Sequence, residues 1–373
     1  MARIVIDARE SGTSTGRYHD KLLEHLSQLP TEHKFIILTK EHRINYLRKI
    51  APGFKILDCP YAEFSLHEQI DMLKQIRDLK PDLVHFGMVQ QPIFYRGKVV
   101  TTIADLTTAR FRNPGKNWFI FTFKQWVYKW VIRIAARKSV GLITISQFVK
   151  DDVAKFSRIN SRKITVTYLA AEAITDKAQP IEELAGQQFI MYVGRPLPHK
   201  NLDRLIEAFG LLRQQYPHLR LVLAGKTDNL FKDIQKRAEA KGIKNLVFTG
   251  FIEDGQLRWL YEHTAAYVFP SLSEGFGLPG LEAMIAGAPV VSSNATCLPE
   301  IYQDAAEYFD PLSVEDMATA IGRVVGDEQL RKQLIRHGHS VAAKYSWQKT
   351  AEETLTVYDQ ALGPANQAKG APE

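Results

Sequence analysis

The sequence predicts an α/β protein built on parallel sheets, with two domains of ordinary size. Short runs of consecutive apolar residues alternate with segments of helical periodicity, and this alternation is typical of parallel sheets covered on both faces. A length of 373 residues accommodates two such domains. Ligands of doubly wound sheets bind at the carboxyl ends of the strands, so the residues that follow each strand are the candidates for function.

Composition indicates a folded protein in a reducing compartment. Hydrophobic residues make up 45% of the chain and charged residues 24%, which is ordinary for a globular protein. The two cysteines, Cys59 and Cys297, form neither a disulfide framework nor a metal cluster. The residues from Met1 to Asp7 lead straight into a strand, so we expect no signal peptide. No apolar run is long enough to span a bilayer, and we expect a cytoplasmic protein.

The charge balance favours anionic partners. A formal net charge of +7 and an isoelectric point near 9.1 suit sugar nucleotides, a lipid surface or nucleic acid. The sequence shows no zinc-finger spacing, RNA-recognition signature or arginine-rich arm, so we expect no nucleic-acid partner.

The first predicted domain spans residues 1–170. Its predicted strands are 3–9, 34–39, 54–57, 82–86, 98–103, 141–147 and 164–168. A helix with apolar positions at Leu22, Leu23 and Leu26 is predicted after the first strand, and further helices are predicted near 66–79 and 149–156. His85 stands alone at the end of a strand, and we interpret it as structural.

Residues 117–138 form the most unusual segment, because aromatic and basic residues are interleaved in it. The helical repeat comprises Phe119, Phe123, Trp126, Trp130 and Ile134. Two interpretations stay open. The helix packs on the sheet and exposes a basic face, or it lies in a membrane interface, as basic amphipathic helices rich in aromatic residues do.

The second predicted domain spans residues 171–346, after a linker within 170–184. Its predicted strands are 189–194, 220–225, 245–250, 265–269 and 289–293. Its helices are predicted at 229–241, 254–264 and 279–286, and three further helical stretches lie within 313–362. Residues 363–373 have the composition of a flexible tail.

A glycine-rich turn joins the strand at 265–269 to the helix at 279–286. It carries Gly275, Gly277 and Gly280, flanked by Glu274 and Glu282. Glycines let the backbone approach a ligand closely, and a helix start offers unpaired N–H groups to an anion. The alternative is an ordinary turn, with glycines for geometry and glutamates for solubility.

Two cations, Arg195 and Lys200, follow the first strand of the second domain. Arginine offers a fork of donors to phosphate oxygens and lysine a compact charge, so the pair suits a diphosphate. The alternative is a basic surface loop. In the first domain a loop with Gly12 and Gly16 follows the first strand, but its spacing is not the dinucleotide fingerprint G-x-G-x-x-G.

Together these motifs resemble those of the retaining glycosyltransferases of family 4. That family has the GT-B fold, in which two doubly wound Rossmann-like domains face each other across a cleft. The resemblance covers nearly the whole chain and is most specific from Met191 to Glu300. It also implies that the last helix, 347–362, packs back on the N-terminal domain.

The resemblance implies roles for the glycine-rich turn. In the family, the residue at the position of Glu274 contacts the donor sugar, and the residue at the position of Glu282 holds the ribose of the nucleotide. The intervening backbone faces sugar and diphosphate; here it consists of Gly275, Phe276, Gly277 and Leu278.

The resemblance also implies roles outside that turn. Arg195 and Lys200 would neutralise the departing diphosphate in place of a metal, and no Asp-x-Asp metal motif is visible. Gly16 would lie beneath the diphosphate, and Asp105 would be on the acceptor side. Phe251 would lie where relatives receive the nucleobase; the alternative is that it belongs to the core. We therefore expect no metal and no cofactor beyond the nucleotide sugar itself.

Ala104 departs from the pattern of the family, because relatives carry a histidine there that fixes the C6 hydroxyl of the donor sugar. A methyl group makes no hydrogen bond. Either the pocket suits a 6-deoxy or otherwise altered sugar, or a neighbouring group or water replaces the histidine, or activity has been lost.

The expected reaction transfers a sugar, with retention, from a nucleotide diphosphate to a hydroxyl of a glycan or lipid-linked acceptor. His199, Lys200 and Asn201 resemble the corresponding residues of mannosyl- and rhamnosyltransferases, which favours a GDP or dTDP donor over UDP. The alternatives are an epimerase, a phosphorylase, or a sugar-nucleotide-binding partner subunit whose catalysis has lapsed. The sequence alone does not identify sugar, base or acceptor.

Overall fold

The computed structural model describes residues 1–13, 15–111 and 118–363, with backbone alone at 118–120. These residues form two compact units. Of the described residues, the N-terminal unit contains Met1–Ala109, Trp118–Leu169 and 346–363, and the C-terminal unit contains Arg110, Phe111 and Ala170–Tyr345. The predicted tail from residue 364, and the start of the predicted segment 117–138, lie outside the described residues.

The N-terminal unit is built on a parallel sheet of seven strands. Their order is β3-β2-β1-β4-β5-β6-β7, so the chain moves outward in one direction from β1 and then in the other from β4. The strands are β1 (Arg3–Asp7), β2 (Lys34–Thr39), β3 (Lys55–Asp58), β4 (Leu83–Phe86), β5 (Val99–Ile103), β6 (Gly141–Thr144) and β7 (Ile164–Val166).

Helices cover this sheet on both faces. In chain order they are α1 (Arg17–Leu26), α2 (Ile44–Ile50), α3 (Leu73–Asp78), α4 (Thr107–Arg110), α5 (Trp118–Lys138) and α6 (Gln147–Ser157). One core cluster joins Val5, Ile36 and Val84 of the strands to Leu73 and Ile76 of α3. Strands buried on both faces explain the continuous apolar runs in the sequence. No helix in the described part of the chain is both long and apolar enough to cross a membrane.

The C-terminal helix of the chain belongs to the N-terminal unit, where it packs on α1 and on β4, β5 and β6. This helix is α14 (Trp347–Leu362). Its buried Tyr358 hydroxyl lies 2.6 Å from Nδ1 of His85, and the other ring nitrogen of His85 lies 2.8 Å from Thr102 Oγ1. Burial lowers the pKa of His85 to about 3, so the ring is neutral. His85 is therefore structural, as its isolation in the sequence predicts.

The C-terminal unit is built on a parallel sheet of six strands in the order β10-β9-β8-β11-β12-β13. The strands are β8 (Phe189–Val193), β9 (Arg220–Ala224), β10 (Leu246–Gly250), β11 (Ala266–Phe269), β12 (Val290–Ser293) and β13 (Ala306–Phe309). The helices are α7 (Leu202–Leu212), α8 (Asn229–Ala240), α9 (Asp254–His263), α10 (Leu278–Ile285), α11 (Leu298–Tyr302), α12 (Val314–Gly326) and α13 (Glu328–Ala342). The strand order reverses between β8 and β11, which is where such sheets open a crevice for ligands.

One predicted helix of the N-terminal unit contains a π-helical turn. Residues 66–79 are predicted as a single helix, and helical residues run without a break from 66 to 78, but Glu68–Met72, before α3, are π-helical. The turn carries Glu68, whose Oε1 lies 2.9 Å from the guanidinium of Arg9; the arginine side chain also binds Asp7 at 2.8 Å. π-turns of this kind are frequent at functional sites.

The buried triad of Arg9, Asp7 and Glu68 gives a stability prediction. Arg9→Leu leaves two carboxylates buried without their cation, so the free energy of unfolding should fall by about 3–5 kcal/mol. The measurement is urea unfolding followed by circular dichroism. The matched control is Arg237→Leu, which breaks a half-exposed pair with Asp203 and should cost at most about 1 kcal/mol. Equal losses in the two variants would contradict this account.

Candidate functional site

The candidate site lies at the carboxyl edge of the C-terminal sheet, where the loops after β8 and β11 meet. The loop after β8 carries Lys200, and the loop after β11 carries Glu274. Lys200 Nζ lies 2.6 Å from Glu274 Oε1, and both side chains are mostly buried. The sequence predicts both residues as site residues, and the fold brings them together at the reversal of strand order.

Asn201 fixes the position of Lys200. It has a left-handed backbone conformation, φ +61°, and its side-chain amide donates to the carbonyls of Pro270 at 3.0 Å and Pro311 at 2.8 Å. The amide of Leu272 also donates to the carbonyl of His199 at 2.7 Å. These bonds join the loops that follow β8, β11 and β13, and so hold the lysine against the glycine-rich turn.

The glycine-rich turn requires its glycines for steric reasons. Gly277 precedes α10 with φ +96°, a conformation that side chains disfavour. A Cβ atom at Gly280 would lie 2.2 Å from the hydroxyl oxygen of Tyr302. That hydroxyl donates to the carbonyl of Gly277 at 2.6 Å, so Tyr302 occupies the space that the glycines leave.

Side chains of the segment after β12 contact the backbone of Glu274, at the start of the glycine-rich turn. The amide of Glu274 donates to Thr296 Oγ1 at 3.1 Å, and the thiol of Cys297 donates to the carbonyl of Glu274 at 3.4 Å. Burial, and then the nearby carboxylate of Glu274, raise the pKa of Cys297 and of Tyr302. Both groups are therefore neutral at pH 7, and Cys297 is a structural thiol rather than a reactive one.

Arg195 follows β8 as predicted, but its ion pair is with Asp228. Its Nε lies 3.2 Å from Asp228 Oδ2, and the arginine side chain is 64% exposed. Asp228 also caps α8 by accepting hydrogen bonds from the amides of Leu230 and Phe231. Burial acts to raise the pKa of Asp228, but the bonds from Phe231 and Arg195 outweigh it and lower that pKa.

The other predicted residues of this unit differ in exposure. Gly275, Phe276 and Gly277 are buried, whereas Glu282 and Leu278 are half-buried at the start of α10. Phe276 packs edge-on against the ring of Tyr345, with centroids 5.5 Å apart. Phe251 follows β10 and is 73% exposed, so it is not a core residue.

Gly16 and Asp105, together with Ala104, belong to the N-terminal unit. A Cβ atom at Gly16 would lie 2.1 Å from the carbonyl oxygen of Glu10, so the turn into α1 requires glycine. Asp105 follows β5, and its Oδ1 accepts a hydrogen bond from the amide of Thr107 at 2.7 Å. Ala104 is exposed beside it.

Sequence reasoning missed Asp228 and the positioning role of Asn201. Asp228 follows β9 directly before a helix, and an acidic residue at that position is a recognisable N-cap signal. Asn201 gives a weaker signal, because only the fold shows which carbonyls its amide reaches.

Models of two families match most of the chain between them. The model described as Glycosyltransferase Family 4 matches residues 15–171, and the model described as Glycosyl transferases group 1 matches residues 174–341. The chain belongs to glycosyltransferase family 4. The predicted family is thereby confirmed.

Two curated relatives of this family 4 protein are mannosyltransferases of Escherichia coli. The O-antigen chain mannosyltransferase B is 31% identical over 229 residues, which are 58% of this chain and 60% of the relative. The serotype-specific mannosyltransferase WbdA is 35% identical over 240 residues, which are 60% of this chain and 29% of the relative. Each match therefore spans less than two thirds of the relative's own length.

The family 4 chain also resembles solved structures over nearly its whole length. HepE of Anabaena, in complex with UDP-glucose, matches with a TM-score of 0.72 at 14% identity, covering 95% of this chain and 100% of that chain. At this identity the likeness shows the fold alone, which is GT-B, as predicted.

The charges around His199 give a prediction on the electrostatics of the site. Burial and then the charge of Lys200 lower the pKa of His199 to about 4, while Glu274 acts to raise it. Removing the positive charge with Lys200→Met should therefore raise the pKa of His199. The measurement is an NMR titration of histidine-labelled protein, with His199→Gln to assign the signal.

The matched control for that titration is Arg195→Met. Arg195 pairs with Asp228, so its removal should leave the His199 titration nearly unchanged. If Lys200→Met left the pKa of His199 where it is in the native protein, Lys200 would not lie beside His199 as described.

Proposed function

We propose that this chain is a retaining glycosyltransferase. It would transfer mannose, rhamnose or a related sugar from a nucleotide diphosphate donor, linked to GDP, dTDP or UDP, to a hydroxyl of a glycan or lipid-linked acceptor. The observation that carries the proposal is the 2.6 Å contact of Lys200 with Glu274 at the strand-order reversal. The mannosyltransferase relatives support the choice of sugar, and the UDP-glucose complex of HepE supports a nucleotide sugar.

In this proposal the cations stabilise the leaving group. Negative charge grows on the diphosphate as the glycosidic bond breaks, and preorganised positive charge in a partly dry site lowers the energy of that transition state. Lys200 is held for this purpose by the contacts of Asn201. Arg195 would leave Asp228 for the diphosphate, because an exposed ion pair of this kind is worth at most about 1 kcal/mol.

The glycine-rich turn would bind the rest of the donor. Glu274 would orient the sugar by accepting hydrogen bonds from its hydroxyls, and Glu282 would bind the ribose. The backbone from Gly275 to Leu278 would face the sugar and diphosphate, and Phe251 the nucleobase. Gly16 and Asp105 of the N-terminal unit would serve the diphosphate and the acceptor.

We further propose that the enzyme works without a metal and at a membrane surface. Cations placed by the fold make a divalent metal unnecessary for charge neutralisation. The helix α5 exposes Phe123, Trp126 and Trp130, and its basic residues suit anionic headgroups. A cytoplasmic enzyme attached in this way to the inner face of the cell membrane would reach a lipid-linked acceptor.

The first activity prediction concerns the two cations. Lys200→Met and Arg195→Met should each lower kcat/KM on the order of 10²–10³-fold, because each removes a preorganised charge from the leaving group. The assay is nucleotide release from a panel of sugar nucleotides with an added acceptor. The matched control is Lys236→Met, an exposed lysine on α8, which should retain native activity.

Other outcomes of that assay separate the alternatives. Donor binding without turnover would indicate a partner subunit whose catalysis has lapsed. Loss of transfer with EDTA and its recovery with magnesium would contradict the metal-independent mechanism. An inverted anomeric centre in the product, measured by NMR, would contradict retention.

The second activity prediction concerns Ala104. If its methyl group creates space suited to a 6-deoxy sugar, Ala104→His should shift the preference from 6-deoxy to 6-hydroxy donors. The ratio of kcat/KM for a 6-deoxy donor and its 6-hydroxy counterpart measures this shift. The control variant is Ala104→Ser, at the same position. An unchanged ratio in Ala104→His would refute the idea.

A further inference from the structure

Large hydrophobic side chains are exposed on three segments of the N-terminal unit. Besides the aromatic residues of α5, the segment 64–70 and the loop at residue 94 expose such side chains, with Leu66 77% and Ile70 63% exposed. We call the set the apolar face; its members are Phe64, Leu66, Ile70, Phe94, Phe123, Trp126 and Trp130. Contiguous exposed apolar surface marks an interaction site.

Direct contacts connect the segment 64–70 to α5 and to the loop near residue 94. The rings of Phe64 and Tyr128 of α5 lie 6.0 Å apart, in an edge-to-face arrangement. The side chain of Gln69 accepts a hydrogen bond from the amide of Ile93 at 2.9 Å and donates to the carbonyl of Gln91 at 3.1 Å. Lys138, at the end of α5, donates to the carbonyl of Pro92 at 2.8 Å.

The segment 64–70 is held in this exposed position by buried polar contacts. Arg9, which is fully buried, donates to the carbonyl of Tyr61 at 3.0 Å and pairs with Glu68 at 2.9 Å. The second oxygen of Glu68 accepts from the amide of Phe64 at 3.1 Å. Leu66 and Ile70 are therefore exposed on a segment that hydrogen bonds and an ion pair hold in place.

The backbone of this segment is also strained. Phe64 has φ +59°, which is uncommon for an aromatic residue, and the π-helical turn at Glu68–Met72 follows it. Backbone strain that the surrounding contacts hold in place is concentrated at functional segments. The triad of Arg9 thus stabilises a conformation that presents apolar side chains to solvent.

The charges next to the apolar face select the partner. Of the 21 residues of α5, five are lysine or arginine and none is acidic. The nearby acidic residues Glu63, Glu68 and Asp71 each contact a basic side chain, namely Lys40, Arg9 and His67. Aromatic and aliphatic side chains beside unbalanced positive charge match the interface of an anionic bilayer, with its apolar interior beneath negative headgroups.

We propose that the segment 64–70 is a second membrane contact, which inserts Leu66 and Ile70 into an anionic bilayer beside α5. The inference rests on the proposed membrane contact of α5 and adds a second contact to it, from another segment of the same unit. Two contacts at different positions fix the orientation of the N-terminal unit on the membrane, which a single helix lying in the interface does not.

The test is vesicle binding by the full chain. Leu66→Ser/Ile70→Ser removes two exposed aliphatic side chains and should weaken binding to phosphatidylglycerol/phosphatidylcholine vesicles by about tenfold or more, because burying aliphatic side chains in the bilayer favours binding. The matched control is Leu211→Ser/Leu312→Ser, which removes two exposed leucines of the C-terminal unit and should leave binding unchanged. Thermal unfolding verifies that both variants are folded.

A second measurement tests insertion directly. Both native cysteines are buried, so Leu66→Cys takes a polarity-sensitive dye selectively. Dye at position 66 should shift to the blue on anionic vesicles and be quenched by brominated lipid, whereas dye on Leu312→Cys should do neither.

The outcomes separate the two proposals. If native protein does not bind anionic vesicles, the membrane contact of α5 and this inference both fail. If native protein binds, and Trp126→Ser/Trp130→Ser weakens binding while Leu66→Ser/Ile70→Ser does not, only this inference fails. Unquenched dye at position 66 on bound protein also overturns it, and leaves a protein partner as the occupant of that segment.

Discussion

The ion pair between Lys200 and Glu274 is the interaction on which the candidate site depends. It joins the loops of two strands that are neighbours in the sheet but about 70 residues apart in the chain. Both loops leave the carboxyl edge where the strand order reverses. The pair places a positive and a negative group at the position where doubly wound sheets generally bind their ligands.

The surrounding residues show that the fold holds this arrangement rigidly. Asn201 holds three loops by two hydrogen bonds, and Tyr302 occupies the space left by the glycines and binds the carbonyl of Gly277. Each cation also has a carboxylate partner, because Arg195 pairs with Asp228. A diphosphate would compete with these carboxylates, and the partly buried Lys200 is better ordered for that than the exposed Arg195.

The sequence predicts the fold class and the family correctly because both depend on local patterns. Buried parallel strands are continuous apolar runs, and the motif residues follow those strands directly. The sequence did not predict β13 at Ala306–Phe309, which is short and contains Glu307, or the π-helical turn before α3. Glu68 of that turn is paired with Arg9, which is 59 residues away in the chain. The only local sequence signal of this ion pair is Asp7 and Arg9, which lie two residues apart at the end of a strand.

The roles of the site residues are less predictable than the fold. The sequence places Arg195 and Lys200 on one loop as equal cations, but burial and partners differ between them. Such differences arise from contacts with loops after other strands, and no single segment contains that information. The same holds for the apolar face, since Leu66 and Ile70 match the pattern of an ordinary packed helix.

The central claim is that Lys200 and the glycine-rich turn together bind the diphosphate of a donor. A crystal structure of the chain with a bound nucleoside diphosphate tests it most directly. The account predicts phosphate oxygens within hydrogen-bond distance of Lys200 Nζ and of amides between Gly275 and Leu278. A diphosphate bound elsewhere, with the contact between Lys200 and Glu274 undisturbed and no phosphate near the turn, would contradict it.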